Sequence, residues 1–151
     1  MSTARKYLPM RLSVEQLPDA PIFITVGPPP GDFTGTLLDS LPEIRRFNDL
    51  LIEPIYMIID MSGVTLDVPG HMLAATVAAG GPGAMLHHPN VLEYVFISTD
   101  PVMQVALKKL REPSFGAARV SVFATRVEAV DYCYDQLGLP RPNRWSPPRQ
   151  P

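Results

Sequence analysis

Ile55-Tyr56-Met57-Ile58-Ile59-Asp60-Met61 is the most apolar stretch of the chain. A continuous apolar run of this length reads as a strand covered on both faces, which places it inside a sheet and not at an edge. Upstream, Ile22 to Val26 is a second short run, with two isoleucines, a threonine and a valine, and suits another buried strand. Met10 to Gln16 alternates apolar and polar residues, the pattern of a half-buried strand. Pro18-Asp19 supplies a turn between the two, so they form an N-terminal hairpin with Met10 to Gln16 at or near the sheet edge.

Helical signals separate the strands. Gly27 to Gly35 is a loop containing Pro28, Pro29 and Pro30. Ser40-Leu41-Pro42-Glu43 then fits a capping box, in which the serine side chain takes a free amide and the glutamate reaches back. Leu41, Ile44, Phe47 (or Asn48 beside it) and Leu51 share one face of the helix that follows, with Arg45, Arg46 and Asp49 elsewhere. After the central strand, Gly70 to Ala79 reads as a helix that Gly80-Gly81-Pro82-Gly83 breaks. Val91 to Ser98 is a strand, and Asp100-Pro101 provides an N-cap and an N1 proline. Val102, Met103, Ala106, Leu107 and Leu110 form the buried stripe of that helix. Arg119 to Ala124 is the last strand, and Thr125-Arg126-Val127-Glu128 is a second capping box. Val130, Cys133, Tyr134 and Leu137 recur at helical spacing before Gly138 and Pro140 end the helix.

The order is β-β-α-β-α-β-α-β-α. It implies crossover units, hence an open, mixed but mostly parallel five-stranded sheet of the α/β class, with an antiparallel hairpin and helices packed on both faces. The chain divides into an N-terminal arm (1–9), one α/β domain (10–139) and a proline-rich tail (140–151).

Charge is unevenly spread. Of 13 basic and 15 acidic residues, the stretch from Leu139 onward holds Arg141, Arg144 and Arg149 and no acid. An acidic body with a basic tail results, and nothing in the balance of −2 asks for nucleic acid as a partner. The lone Cys133 can form neither an internal disulfide nor a cysteine cluster for zinc, which suits a reducing compartment. No apolar run approaches the length of a membrane span, and Met1 to Tyr7 does not lead into a signal-peptide core. The expected location is the cytoplasm.

Two segments carry a family resemblance. Asp60-Met61-Ser62-Gly63-Val64-Thr65-Leu66-Asp67 resembles the Asp-Leu-Ser-x-Val-x-Phe-x-Asp signature at the end of the central strand in STAS domains, the sulfate-transporter and anti-sigma-factor-antagonist superfamily. From His87 to Cys133 the order of elements, with Ser-Thr-Asp-Pro, Lys-Lys-Leu and Glu-Pro-Ser-Phe-Gly between them, looks more like the sporulation-antagonist-like branch, whose members are often uncharacterised bacterial proteins. The likeness spans Met10 to Leu139. It implies a STAS-like fold and a non-enzymatic, protein-binding regulatory or scaffold role.

The family's switch does not carry over. STAS antagonists place a phosphorylatable serine of an Asp-Ser-Ser-Gly stretch at a helix N-terminus, where an anion is tolerated and alters a partner surface. The corresponding Asp67-Val68-Pro69-Gly70 is one residue shorter and has no hydroxyl. Ser62 and Thr65 are the nearest ones, and Ser62 at the strand exit suits a turn hydrogen bond.

Other chemistry-bearing residues favour structural roles. Cys133 lies on an apolar stripe, as a core thiol does. His87 and His88 are adjacent, so they point apart on a helix and do not chelate; capping or solvation is expected, and no metal or cofactor. Asp60 and Asp67 could form an acid/base pair, or else Asp60 organises the Ser62-Gly63 turn while Asp67 caps the next helix. Gly80 to Gly83 lacks the lysine and hydroxyl of a phosphate loop. Pro148-Arg149-Gln150-Pro151 is a minimal proline-recognition pattern, equally compatible with a solvated tail or one lying on its own domain.

The expected partner surface is therefore Asp60, Ser62, Gly63, Thr65, Asp67, Gly70 and His71 with the helix that follows. A protein partner is expected, and a homodimer is compatible with the reading. The alternative is a small-molecule or lipid-binding domain with a pocket between this loop and Gly27 to Gly35; a third reading is an enzyme using Asp60, Asp67 and His71.

Overall fold

The computed structural model describes residues 4–5, 14–26, 44–63, 85–113 and 117–141. The strands are β1 (Ala4–Arg5), β2 (Val14–Gln16), β3 (Ile22–Val26), β4 (Ile55–Asp60), β5 (Val91–Ile97) and β6 (Val120–Phe123). The described helices are α1 (44–49), α2 (Pro101–Lys109) and α3 (Arg126–Leu137).

The sheet runs in sequence order, β1-β2-β3-β4-β5-β6. β1, β2 and β3 pair antiparallel, and β3 to β6 are parallel. The expected mixed sheet with an antiparallel hairpin and a central Ile55 strand is present. The two-residue β1 adds a sixth strand at the outer edge, within the segment read as an arm. The hairpin turns at Asp19, whose φ of 53° is a left-handed conformation that aspartate tolerates. The Gln16 Nε2 group donates to Ala20 O (3.1 Å) and the Leu17 amide to Ile22 O (2.8 Å), closing the turn.

Every residue of β4 is buried, which is why its sequence is apolar without alternation. Its side chains still alternate between two cores. Ile55, Met57 and Ile59 pack with Phe47 of α1 and Met103 and Leu107 of α2. Tyr56 and Ile58 pack with Ala129, Val130 and Cys133 of α3. Strands laid down in sequence with right-handed crossovers put the helices between β3 and β4 and between β5 and β6 on one face. α3 follows the last strand and covers the other. Tyr134 locks it in place by donating its hydroxyl to Pro18 O of the hairpin turn (2.7 Å).

The caps behave as read. Asp100 accepts from the Val102 amide (3.0 Å) with Pro101 at the first position of α2. Thr125 Oγ1 accepts from the Glu128 amide (3.2 Å), and Glu128 takes the Thr125 hydroxyl (3.1 Å) instead of its backbone amide. Gly138, at φ 66°, ends α3 in a left-handed cap. One residue departs from the reading: Val102 is 48% exposed. The buried stripe is Met103, Ala106, Leu107 and Leu110, and Val102 lies about 100° around the helix from Met103, on the side that also leaves Val105 exposed. The helix read over 70–79, the capping box at 40–43 and the glycine-rich break at 80–83 lie outside the described residues. Among the described residues, no helix is long and apolar enough to cross a membrane.

Candidate functional site at the strand ends

Four parallel strands end together. Val26 pairs in register with Asp60, Asp60 with Ile97, and Ile97 with Phe123. The carboxyl ends of parallel strands are where open α/β sheets present side chains to a ligand or partner, because the chain there turns away into a crossover. Asp60 is the charged residue in this row, and it is 3% exposed.

A buried carboxylate needs full pairing, and Asp60 has it. Its Oδ1 accepts from the Ser62 amide (2.9 Å) and the Ser62 hydroxyl (2.5 Å). Its Oδ2 accepts from Arg126 Nε (2.7 Å), the first residue of α3. Burial acts to raise the Asp60 carboxyl; the two Ser62 donors and the Arg126 guanidinium outweigh it, so the group is held below its ordinary value. Asp60 thus organises the Ser62-Gly63 turn, as one of the two readings of the sequence had it. It also ties that turn to the start of α3, on the face of the sheet that α3 covers.

Arg126 was not singled out from the sequence, where it appears only inside a capping box. A signal was there: a cation at a helix N-terminus opposes the macrodipole and calls for a nearby anion. Its side chain is 15% exposed. Neighbouring backbone is equally engaged. The Met61 amide donates to Ile97 O (2.8 Å) and the Ser98 amide to Phe123 O (2.9 Å). Buried Ser98 accepts the Asp100 amide on Oγ (3.2 Å) and Gln104 Nε2 on its carbonyl (2.7 Å). Around this polar bracing stand exposed apolar side chains, Val26 (57%), Val102 and Val127 (39%).

Of the expected site residues, the structure brings Asp60, Ser62 and Gly63 together at the end of β4. Thr65, Asp67, Gly70 and His71 lie outside the described residues, so their convergence with Asp60 is not described.

Two further polar clusters lie elsewhere. Of the two histidines expected to be capping or solvated, His87 is exposed, while His88 is buried and takes a backbone amide. The difference comes from its partners: Nδ1 accepts the Asn90 amide (3.1 Å), leaving the proton on Nε2 to face Asp49 Oδ1 (2.6 Å). Next to it, Asn48 Nδ2 donates to the Tyr94 hydroxyl (2.9 Å), and Asn90 Nδ2 to Asn48 O (3.0 Å). On the α3 face, Glu93 accepts hydroxyls from Tyr132 (2.6 Å) and Ser121. Cys133 is a fully buried free thiol, pushed up to about 12 by burial and then by the Glu93 charge, which makes it unreactive. Among the described residues, no group of three or more histidine, cysteine or acidic side chains could hold a metal ion.

No family model matches the chain. No curated protein matches it. A solved structure does, that of an uncharacterised protein of the DUF3478 family from Shewanella loihica PV-4, described as having a SpoIIAA-like fold. The two share 14% identity over 81% of this chain and 91% of that one, with a TM-score of 0.50. The α/β architecture of this chain is accordingly SpoIIAA-like, the fold of STAS-type domains.

Proposed function

We propose that the chain is a non-enzymatic regulatory or scaffold module that binds a protein partner at the carboxyl ends of its parallel strands. The observation that carries this is the Asp60–Ser62–Arg126 brace. All of its charge is consumed in holding a turn, with Oδ1 and Oδ2 of Asp60 both occupied, which leaves no idle base. What the brace fixes is the Ser62-Gly63 turn at the end of β4, and Val26, Val102 and Val127 are exposed at the end of β3 and in the first turns of α2 and α3. Exposed apolar side chains near a preorganised polar turn are what a protein interface uses, since a turn already held in place costs less to bind. The likeness of fold to STAS-type domains adds to this reading.

The partner is expected to be recognised without a phosphoserine switch in the loop, since residues 67–70 carry no hydroxyl. The test is capture of a defined partner from the native host, followed by binding measurements with variants. Val127→Glu and Val26→Glu are expected to weaken binding at least tenfold, and Ile52→Ser, far from the strand ends, to leave it unchanged. Equal binding by all of them would remove this surface from consideration. A small apolar molecule or lipid that co-purifies in place of a protein would favour the ligand-binding alternative.

A further inference from the structure

Helix α1 buries a polar side chain against β5 beside the apolar Phe47. Asn48 is fully buried, and its Nδ2 donates to the hydroxyl of Tyr94, itself almost fully buried (2.9 Å). That bond leaves two groups unspent. Asn48 Oδ1 has no hydrogen-bond partner among the described residues. The Tyr94 oxygen is the acceptor in its bond to Asn48, so its own O–H has still to be placed, and none of the described residues takes it. Burial pushes this hydroxyl above its ordinary value, against the smaller opposing effect of the Asn48 amide, so the proton stays on the oxygen. One buried acceptor and one buried donor therefore stand on adjoining side chains, each without its counterpart. Protein interiors rarely leave either kind of group unpaired. Turning the Asn48 amide over does not remove the demand. Its oxygen would then take the Tyr94 proton, but the NH2 group would come to the position of Oδ1 and be unpaired in its place.

We infer that Asn48 and Tyr94 hold a single buried water molecule between them, which accepts the Tyr94 proton and donates to Asn48 Oδ1. Two or more polar partners are what a buried water needs. The surroundings select a neutral guest. The core to which Tyr94 belongs contains Phe47, Met57, Leu86 and Phe96, where an ion would need a counter-charge. The titratable side chains of the adjoining network, His88 and Asp49, face each other (2.6 Å) and supply none. The way in is polar. Asn48 O accepts from Asn90 Nδ2 (3.0 Å), the Asn90 amide donates to His88 Nδ1 (3.1 Å), and His88 Nε2 faces the exposed carboxylate of Asp49. This chain of hydrogen bonds leads from solvent to Asn48. The water completes a polar clamp between α1 and β5, apart from the candidate partner surface at the carboxyl ends of the strands.

A crystal structure of the full chain, at a resolution that shows ordered waters, is expected to place one fully occupied water within about 3.2 Å of both the Asn48 amide group and Tyr94 Oη. In solution, the side-chain amide protons of Asn48 are expected to show Overhauser peaks at the water frequency, of opposite sign in the laboratory and rotating frames, the mark of a long-lived water. The double variant Asn48→Leu with Tyr94→Phe, which keeps neither polar group, is expected to exclude the water. The wild-type spectrum keeps the test decisive should that variant fail to fold. Asn48 Oδ1 bonded to a protein donor, with no Overhauser peak to water, would overturn the inference. So would a water that persists at full occupancy in the double variant, or density too large for one water, since the site would then hold an organic guest.

Discussion

Arg126 Nε lies 2.7 Å from Asp60 Oδ2, although 66 residues separate them and they come from different layers of the molecule. The contact joins the exit of the central strand to the start of the last helix. It fixes the Ser62-Gly63 turn against α3 on the face that α3 covers.

Removing the cation is therefore expected to destabilise the fold. Arg126→Ala leaves a buried carboxylate with the two Ser62 donors as its remaining described partners, a loss on the order of 2–3 kcal/mol. Asp60→Asn, which keeps the shape and relieves the unpaired charge, is expected to lose less when combined with Arg126→Ala than the two single losses added. Urea unfolding of the four species in the cycle measures this coupling. Strict additivity would show that the pair contributes nothing.

The same pair sets an acid limit. The folded Asp60 carboxyl is held below its unfolded value, so its stabilisation is fully present above the ordinary carboxylate range. It begins to fall once the pH drops below about 4 and is gone below the folded value. The stability difference between wild type and Asp60→Asn is expected to be constant from pH 5 to 7 and to shrink below about 4. A difference that widened on acidification would reverse the sign of the coupling.

Much of this fold is legible in the sequence because burial on two faces and capping chemistry leave local marks. The Ile55 run, the Asp100-Pro101 start and the Gly138 stop each follow from residues within one turn or strand of each other. The Asp60–Arg126 contact does not, since it depends on which helix folds back over which face. The burial of His88 escaped for the same reason: beside the local Asn90 amide, it depends on Asp49, 39 residues back along the chain. Val102 misled because apolar character predicts an inward face, whereas Met103 takes the buried position of that turn and Val102 falls beside exposed Val105.

Val130 is 0% exposed and packs in the core beneath α3 with Ile58 and Val95. Val130→Asp buries an unpaired charge there, with an expected loss of about 3–5 kcal/mol. For a domain of this size that lowers the melting temperature by about 10–15 °C. An unchanged melting temperature would place this face of α3 in solvent.

Asn48 is fully buried, and its Oδ1 has no hydrogen-bond partner among the described residues. Tyr94→Phe removes the acceptor of Asn48 Nδ2 and strands the amide further, an expected loss of about 1–3 kcal/mol. Adding Asn48→Leu replaces both polar partners by apolar ones and is expected to recover most of that loss. Chemical denaturation of the single and double variants distinguishes this from simple loss of packing, in which the double variant is the weaker.

Ser62 is the nearest described hydroxyl to the place where STAS antagonists carry their phosphorylated serine, and its geometry argues against that role. It is exposed enough for a kinase, yet its hydroxyl proton is held by Asp60 Oδ1 at 2.5 Å. A phosphoryl group would remove that donor and set two negative charges beside a buried carboxylate, breaking the turn the brace depends on. Arg126 offers no compensation without releasing Asp60. Ser62→Ala, which removes one donor to Asp60 but leaves the Ser62 amide in place, is therefore expected to weaken binding and stability less than Ser62→Asp, which adds like-charge repulsion. Thr65 lies outside the described residues, so Thr65→Ala belongs in the same series. Mass spectrometry of the protein from its own cells supplies the decisive reading. Stoichiometric phosphate on Ser62 or Thr65, with binding lost on modification, would restore the switch that residues 67–70 lack.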